Sequence, residues 1–214
     1  LTDRLDRITR AYITEWIGRK KDIRKKVNAL IISQLNTVEV TGRNLVLAEV
    51  IVKYVIKTLE RDLELLEAEG CDAIEILGRE IKVRGEFHGQ KFKGFIDRLD
   101  SFRPDQARVV DYKTGKVLDD DEKIDDGNAE AIADKIFTPD VKGRPKIALQ
   151  FYIYDLLIRN RPEVKGRNIC NCIYSTSGLF KEAPKTYPCN ETFFNAVSEH
   201  LEKLLDEMYD TSVP

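Results

Sequence analysis

The stretch Gly94–Lys116, GFIDRLDSFRPDQARVVDYKTGK, reads as two strands joined at Arg103-Pro104-Asp105-Gln106, each with an acid where an apolar side chain would pack better. Strand side chains alternate between faces, so Asp111 and Lys113 share one face while Val110 and Tyr112 share the other. With the turn centred near Pro104, Asp97 falls opposite Asp111, because the two lie symmetrically about it. Asp97, Asp111 and Lys113 are then expected to converge on one patch. Two carboxylates at cross-strand distance repel, a lysine offsets part of that, and a divalent cation satisfies them better.

Around this hairpin the chain changes character twice. Residues 1 to about 70 read helical: a short amphipathic stretch at Ile8 to Trp16, then RKKDIRKKVNALIISQL from Arg19, and, after a turn at Thr41-Gly42-Arg43, a long pattern to Glu69. Ala48, Val52, Val55, Leu59, Leu63 and Leu66 recur in that pattern near the helical period, and Gly70 suits a C-terminal cap. IEILGREIKVRGEF, KFKGFIDRLDSF and ARVVDYKTGK then read as a three-stranded antiparallel meander. A polar excursion from Val117 to Arg144 holds the acidic run Asp119–Asp126 and a short helix around Ala129 to Phe137. KIALQFYIYDLLIRN follows as an amphipathic helix, NICNCIYSTSG as a strand, a Pro-punctuated turn region, and TFFNAVSEHLEKLLDEMY as a closing helix. The pattern predicts a mixed α/β domain: a helical lobe over 1–70 belonging to the same domain as a core over 71–214.

Composition narrows the function classes. The 214 residues are 42% hydrophobic and 34% charged, which excludes global disorder. A net charge of −2 excludes a basic coat that binds any polyanion, though a local basic groove can sit inside a balanced total. Glu49, Lys53 and Lys57 interrupt the most apolar run, so no segment reads as a membrane span. With no signal peptide and four cysteines (Cys71, Cys170, Cys172, Cys189) in no disulfide framework, a reducing cytoplasm is the expected location. The chain begins LTDRLDR and reads as a domain cut from a longer polypeptide.

An Asp and a Lys two apart on an exposed strand are commonly a solvated salt bridge. The second acid at Asp97, the apolar surroundings, and the room left by Gly94 and Gly115 favour chemistry instead: metal-assisted phosphodiester hydrolysis, with Lys113 orienting water or stabilising developing charge. Gln150 and Tyr154, four apart on a helix, share one face; packing explains them equally well from spacing alone.

GFIDRLD, VVDYKTG and the Gln150-x-x-x-Tyr154 unit together resemble the PD-(D/E)XK nuclease superfamily, specifically its RecB/AddB-like exonuclease branch, over roughly Glu75 to Asn160. The resemblance implies a restriction-endonuclease-like core, a mixed β-sheet with an antiparallel meander flanked by helices. It implies Asp97 and Asp111 as metal ligands, the Tyr112 carbonyl as a backbone ligand, Lys113 as the catalytic lysine, and Gln150 and Tyr154 beside the DNA. Glu80 matches the acid that family members often carry in the first meander strand, with Glu75 and Glu86 as competitors. It further implies Mg2+ (Mn2+ substituting) as cofactor, DNA as substrate, and a helicase domain or subunit as partner in DNA repair or recombination, with no membrane association.

Two departures bear on this. The branch's N-terminal metal-binding histidine has no counterpart among these residues, since His88 falls in a predicted turn and His200 in the last helix; either it lies upstream of Leu1 in a longer protein or this member lacks it. Cys170-Asn-Cys172 and an isolated Cys189 lack the spacing of an iron-sulfur clamp, so no cluster is expected. The missing histidine keeps open an alternative, a catalytically impaired DNA-binding or scaffolding module of the same fold. The basic run Arg19–Lys26 reads as a solvated helix face or a DNA-backbone contact, and the acidic run Asp119–Asp126 as a feature placed away from any DNA groove or on a loop that moves, or one that binds a stray cation.

Overall fold

In the computed structural model, which describes residues 6–115, 117–118, 121 and 123–210, six strands form one sheet in chain order: β1 (Arg7–Thr9), β2 (Ala73–Phe87), β3 (Gln90–Ser101), β4 (Gln106–Lys113), β5 (Asn168–Ser175) and β6 (Thr186–Pro188). All neighbours are antiparallel except β4 and β5, which run parallel with Asp111 level with Ile173 and Lys113 level with Ser175. A parallel pair needs a long crossover. Here the crossover carries α4 (Ala129–Phe137) and α5 (Lys146–Ile158). The remaining helices are α1 (Arg10–Gly18), α2 (Lys20–Leu35), α3 (Arg43–Ala68) and α6 (Glu191–Tyr209). This is the mixed α/β sheet with an antiparallel β2–β3–β4 meander that the sequence predicts.

Two short strands escape the sequence reading. Arg7–Thr9 pairs with β2 where the pattern predicts a helix, and Thr186–Pro188 pairs with β5 inside the Pro-punctuated region. Three residues are too few to show alternation, and both strands exist only because a longer strand offers an edge.

The helical lobe closes on β2. Ile13, Trp16, Ile23, Val27, Ile31, Ala48, Val52, Leu59 and Leu66 form one cluster with Ile74 and Ile76. The stripe along α3 is the one read from the sequence, with Val55 and Leu63 only partly buried. Gly70, at φ +63°, ends α3 as predicted, and the next amide, Cys71 N–H, donates to Leu66 O at 2.8 Å.

Helix α5 is not amphipathic in the sense expected. Its Ile147, Phe151, Tyr154 and Ile158 pack on the sheet with Val83, Leu99 and Val109, whereas Ala148 and Tyr152 pack against α4 and α6. A helix covered on both sides is apolar all round. Its N-terminus is capped from a distance: Asp121 Oδ1 accepts Ile147 N–H at 2.9 Å and Ala148 N–H at 3.1 Å. Asp126 Oδ1 likewise accepts from Asn190 Nδ2 at 2.8 Å and Thr192 Oγ1 at 3.1 Å at the start of α6. The acidic run therefore ties down helix N-termini, where negative charge is favourable. Its Asp119, Asp120 and Glu122 lie outside the described residues.

The opposite sheet face meets α3 through buried charge. Arg98 makes two bonds of 2.9 Å to Asp62 on α3, and Arg108 makes bonds of 2.8 and 2.9 Å to Asp100. Tyr174 on β5 donates to Asp62 Oδ1 at 2.6 Å. Burial alone would raise the Asp62 carboxyl, but Arg98 and Arg108 hold it below its ordinary value. Arg98 Nε also lies 2.8 Å from Asp100 Oδ2, close enough for charge attraction but not aligned as a hydrogen bond. The basic run on α2 is partly neutralised by contrast at the surface: Arg19 pairs with Glu15 and Asp22, and Arg24 with Glu49.

Removing one partner of such a buried pair strands the other. Arg108→Met leaves the fully buried Asp100 without its two-bond partner and is expected to cost about 3–5 kcal/mol in urea denaturation; Arg19→Met, at the surface, leaves the midpoint unchanged. A second expectation concerns Asp155 on α5, whose carboxyl burial pushes up to about 7 although Asn171 Nδ2 donates to it at 2.9 Å. Because the folded pKa lies above the unfolded value, the folded state holds the proton longer, and stability falls as pH rises from about 4 to 7. Asp155→Asn is expected to flatten that slope in thermal melts across pH 4.5–7.5.

Candidate active site

The β3–β4 ladder pairs Arg98 with Val110, Leu99 with Val109 and Asp100 with Arg108. Continued by one step, it sets Asp97 level with Asp111, as the turn arithmetic predicts. Next to them the Tyr112 N–H donates to Asp97 Oδ2 at 2.9 Å. The neighbouring side of β3 is irregular at the same level. Glu80 on β2 interrupts the bridges between Arg79–Arg98 and Ile81–Ile96, and its φ is +45°. Gly94 and Ile96 face α5, but so does Leu99, while Arg98 turns to α3. The alternation along β3 thus slips by one at Asp97, a kind of irregularity that re-aims a side chain.

Asp111 is 3% exposed and Asp97 half-buried. Lys113 Nζ sits 2.7 Å from Asp111 Oδ2 and donates to Gln150 Oε1 at 2.7 Å. Gln150 Nε2 donates to Asp111 Oδ1 at 3.2 Å, and to the Tyr154 hydroxyl, which donates on to Phe95 O at 2.6 Å. Helix α5 therefore supplies a relay that orients both the acid and the lysine. Burial raises the Asp111 carboxyl above its ordinary value and Asp97 adds to the effect, while Lys113 and Gln150 oppose it. Burial likewise raises the Tyr154 phenol.

The structure brings Asp97, Asp111, Lys113, Gln150 and Tyr154 together. Glu80 is exposed on β2, and the described residues contain no group of three His, Cys, Asp or Glu side chains able to hold a metal by themselves. His88, in the turn between β2 and β3, pairs with Asp206 on α6, and His200 on α6 pairs with Asp134 on α4, so neither joins this patch. Burial raises the Cys170 and Cys172 thiols to about 11, which suits inert packing.

Two features test whether a divalent cation fits. Asp111 Oδ2 is buried and charge-compensated by Lys113, yet no aligned hydrogen-bond donor reaches it. Two carboxylates side by side, one with such an oxygen, form a hard donor set of the kind Mg2+ takes together with a backbone carbonyl and waters.

A family model described as the PD-(D/E)XK nuclease superfamily matches residues 4–214. The chain belongs to that superfamily. PD-(D/E)XK proteins are nucleases that generally use divalent metal ions such as Mg2+, with DNA as substrate. The fold described above is the α/β fold of that superfamily. No curated protein matches the chain. No described helix is long and apolar enough to cross a membrane.

One supporting position serves a different purpose from the one its sequence suggests. Gly94 leaves room not for another backbone but for the Tyr154 ring: a Cβ there would stand 2.8 Å from Tyr154 Cε1 and 3.2 Å from Val83 Cγ2. Gly115, by contrast, faces open space. Gly94→Ala must push Tyr154 aside and slacken its hold on Gln150. The expected result is a loss of roughly 1–3 kcal/mol in stability, with cleavage reduced further than Gly115→Ala reduces it, read by melting and by nuclease assay on the two variants.

Proposed function

We propose that this chain hydrolyses DNA phosphodiester bonds using Mg2+, with Mn2+ able to substitute, held by Asp97, Asp111 and the Tyr112 carbonyl. The observation that carries this reading is the convergence of Asp97, Asp111 and Lys113 from two strands with Gln150 from α5. The metal, when bound, supplies a water of lowered pKa and neutralises charge on the phosphate. Lys113 holds a positive charge at the patch edge, where it stabilises charge developing on the phosphate. Gln150 fixes the direction of the Lys113 ammonium and the Asp111 carboxylate, and Tyr154 fixes Gln150. Glu80, level with Asp97 but exposed, is assigned a contributing role at the substrate side.

The motif order GFIDRLD, VVDYKTG, Gln150-x-x-x-Tyr154 supports a finer assignment to the RecB/AddB-like branch. With it comes exonuclease action in DNA repair or recombination as the nuclease module of a cytoplasmic helicase-nuclease, with residues 1–70 a lobe of the same domain. A second reading, a scaffolding or DNA-binding module that has lost cleavage, draws on the placement of both histidines away from the patch.

Cleavage of end-labelled DNA in Mn2+ decides between them. Wild type is expected to cut, Asp111→Asn to cut at background, and Lys113→Ala to lose on the order of 10²–10³-fold while keeping metal binding. No cleavage by wild type on any DNA end would favour the scaffold.

A further inference from the structure

The β2–β3 hairpin runs past the rest of the sheet. β1 pairs with β2 only over Ala73–Glu75 and β4 bridges β3 only over Arg98–Asp100, so Ile81–Ile96 is a two-stranded ribbon. One face of it is packed: Val83 joins the cluster of Tyr154 and Ile158, Phe87 and Phe92 lie against the α4–α6 cluster, and a Cβ on Gly85 would stand 2.7 Å from Leu157 Cδ2. At the tip His88 pairs with Asp206 on α6 at 2.6 Å. By alternation the outer face carries Lys82 and Arg84 from β2 and Lys91, Lys93 and Phe95 from β3, all exposed.

That face has one sign of charge. Glu86 is the one acid between Ile81 and Ile96, and among the described residues no carboxylate lies within ion-pair distance of Lys82, Arg84, Lys91 or Lys93. Arg84 stands directly opposite Lys93, a like-charge pair that destabilises a sheet. Lysines on free strands blunt pairing with other chains, but mixed signs do that without the repulsion. The outer row also leads to the catalytic patch. Counted forward from Phe95, Asp97 continues it; counted back from Leu99, which packs under α5, Asp97 belongs with Asp111. The slip of alternation at Asp97 joins the two.

We propose that the outer face of this ribbon holds the sugar-phosphate backbone of duplex DNA leading to the bond to be cut. Its direction toward Asp97 rests on the nuclease reading above. Lysine and arginine contacts to phosphate position a duplex without reading its sequence. Lys91 lies six residues before Asp97, about 20 Å along an extended strand, which spans about six base pairs of duplex. A single strand is held instead in a groove with aromatic platforms for its bases. This face is open, and its one aromatic, Phe95, already has the Lys82 ammonium 5.5 Å from its ring centroid. Duplex also offers the denser row of charge, one for about every 1.7 Å of axis.

The test measures binding without metal, so that it does not depend on catalysis. A fluorescein-labelled blunt duplex and dT12 are titrated with protein in EDTA at several salt concentrations. Arg84→Ala/Lys93→Ala is expected to weaken duplex binding at least tenfold and to lower the salt slope by about 1.8, or about 0.9 for each phosphate of B-DNA no longer neutralised. Because a like-charge pair is relieved, its melting temperature should hold or rise. Lys142→Ala/Lys165→Ala removes the same charge from exposed positions outside the ribbon and should bind as wild type does. In Mn2+ the ribbon variant should show a raised KM for duplex with kcat retained, the mark of binding shared by ground and transition states. Wild-type affinity and salt slope in the ribbon variant, an equal loss in the outside variant, or loss of binding only with a lowered melting temperature would overturn the assignment. So would tighter binding of dT12 than of duplex, or ribbon-dependent binding to phosphatidylserine vesicles in place of duplex. Ribbon-dependent duplex binding by a wild type that cuts nothing in Mn2+ would uphold the ribbon and remove the nuclease reading instead.

Discussion

The β3–β4 register is the constraint on which the rest of the structure depends. It is fixed from beneath by the Asp100–Arg108 pair and, two rungs away, by Arg98 bonded to Asp62 on α3. A slip of one residue would turn every side chain of a strand to the wrong face. It would also bury Asp100 and Arg108 against apolar neighbours without partners, which is more costly than losing the pair's attraction alone. The same lock that excludes the slipped register therefore sets Asp97 level with Asp111 on the other face. Buried charge on one side of the sheet positions the Asp97–Asp111 pair on the other.

From that register the site assembles by packing. Helix α5 is pinned to the sheet by Ile147, Phe151 and Ile158 and capped by Asp121, which leaves Gln150 and Tyr154 no choice of direction. Gln150 touches Lys113, Asp111 and Tyr154 at once. An amide is suited to this position, since its NH2 donates to two groups and its oxygen accepts from a third without adding charge. The two acids are relieved only in part: Lys113 and Gln150 oppose the burial that works against the charge on Asp111, and Asp97 accepts from the Tyr112 N–H. A divalent cation, as proposed above, would compensate them further.

Much of this is legible in the chain. Turn arithmetic about Pro104 yields the register, alternation yields the shared face of Asp111 and Lys113, and helical spacing yields the shared face of Gln150 and Tyr154. What escapes depends on distant partners. Asp62 looks like a surface acid in a helix, and only the fold places it against Arg98 and Tyr174. Asp121 sits in a run of like charges, and nothing local says that it turns inward to cap a helix. The slip of alternation at Asp97 is invisible to any periodic reading. Edge strands of three residues carry too short a pattern to be seen.

The central claim is that Asp97 and Asp111 form one divalent-metal site. Calorimetric titration of Mn2+ into wild type, Asp97→Asn and Asp111→Asn tests it most directly, with melting curves alongside. The account predicts saturable binding by wild type, lost in both variants while each stays folded with little change in melting temperature. Binding that survives in either variant, or a wild type that takes up no Mn2+, would contradict it.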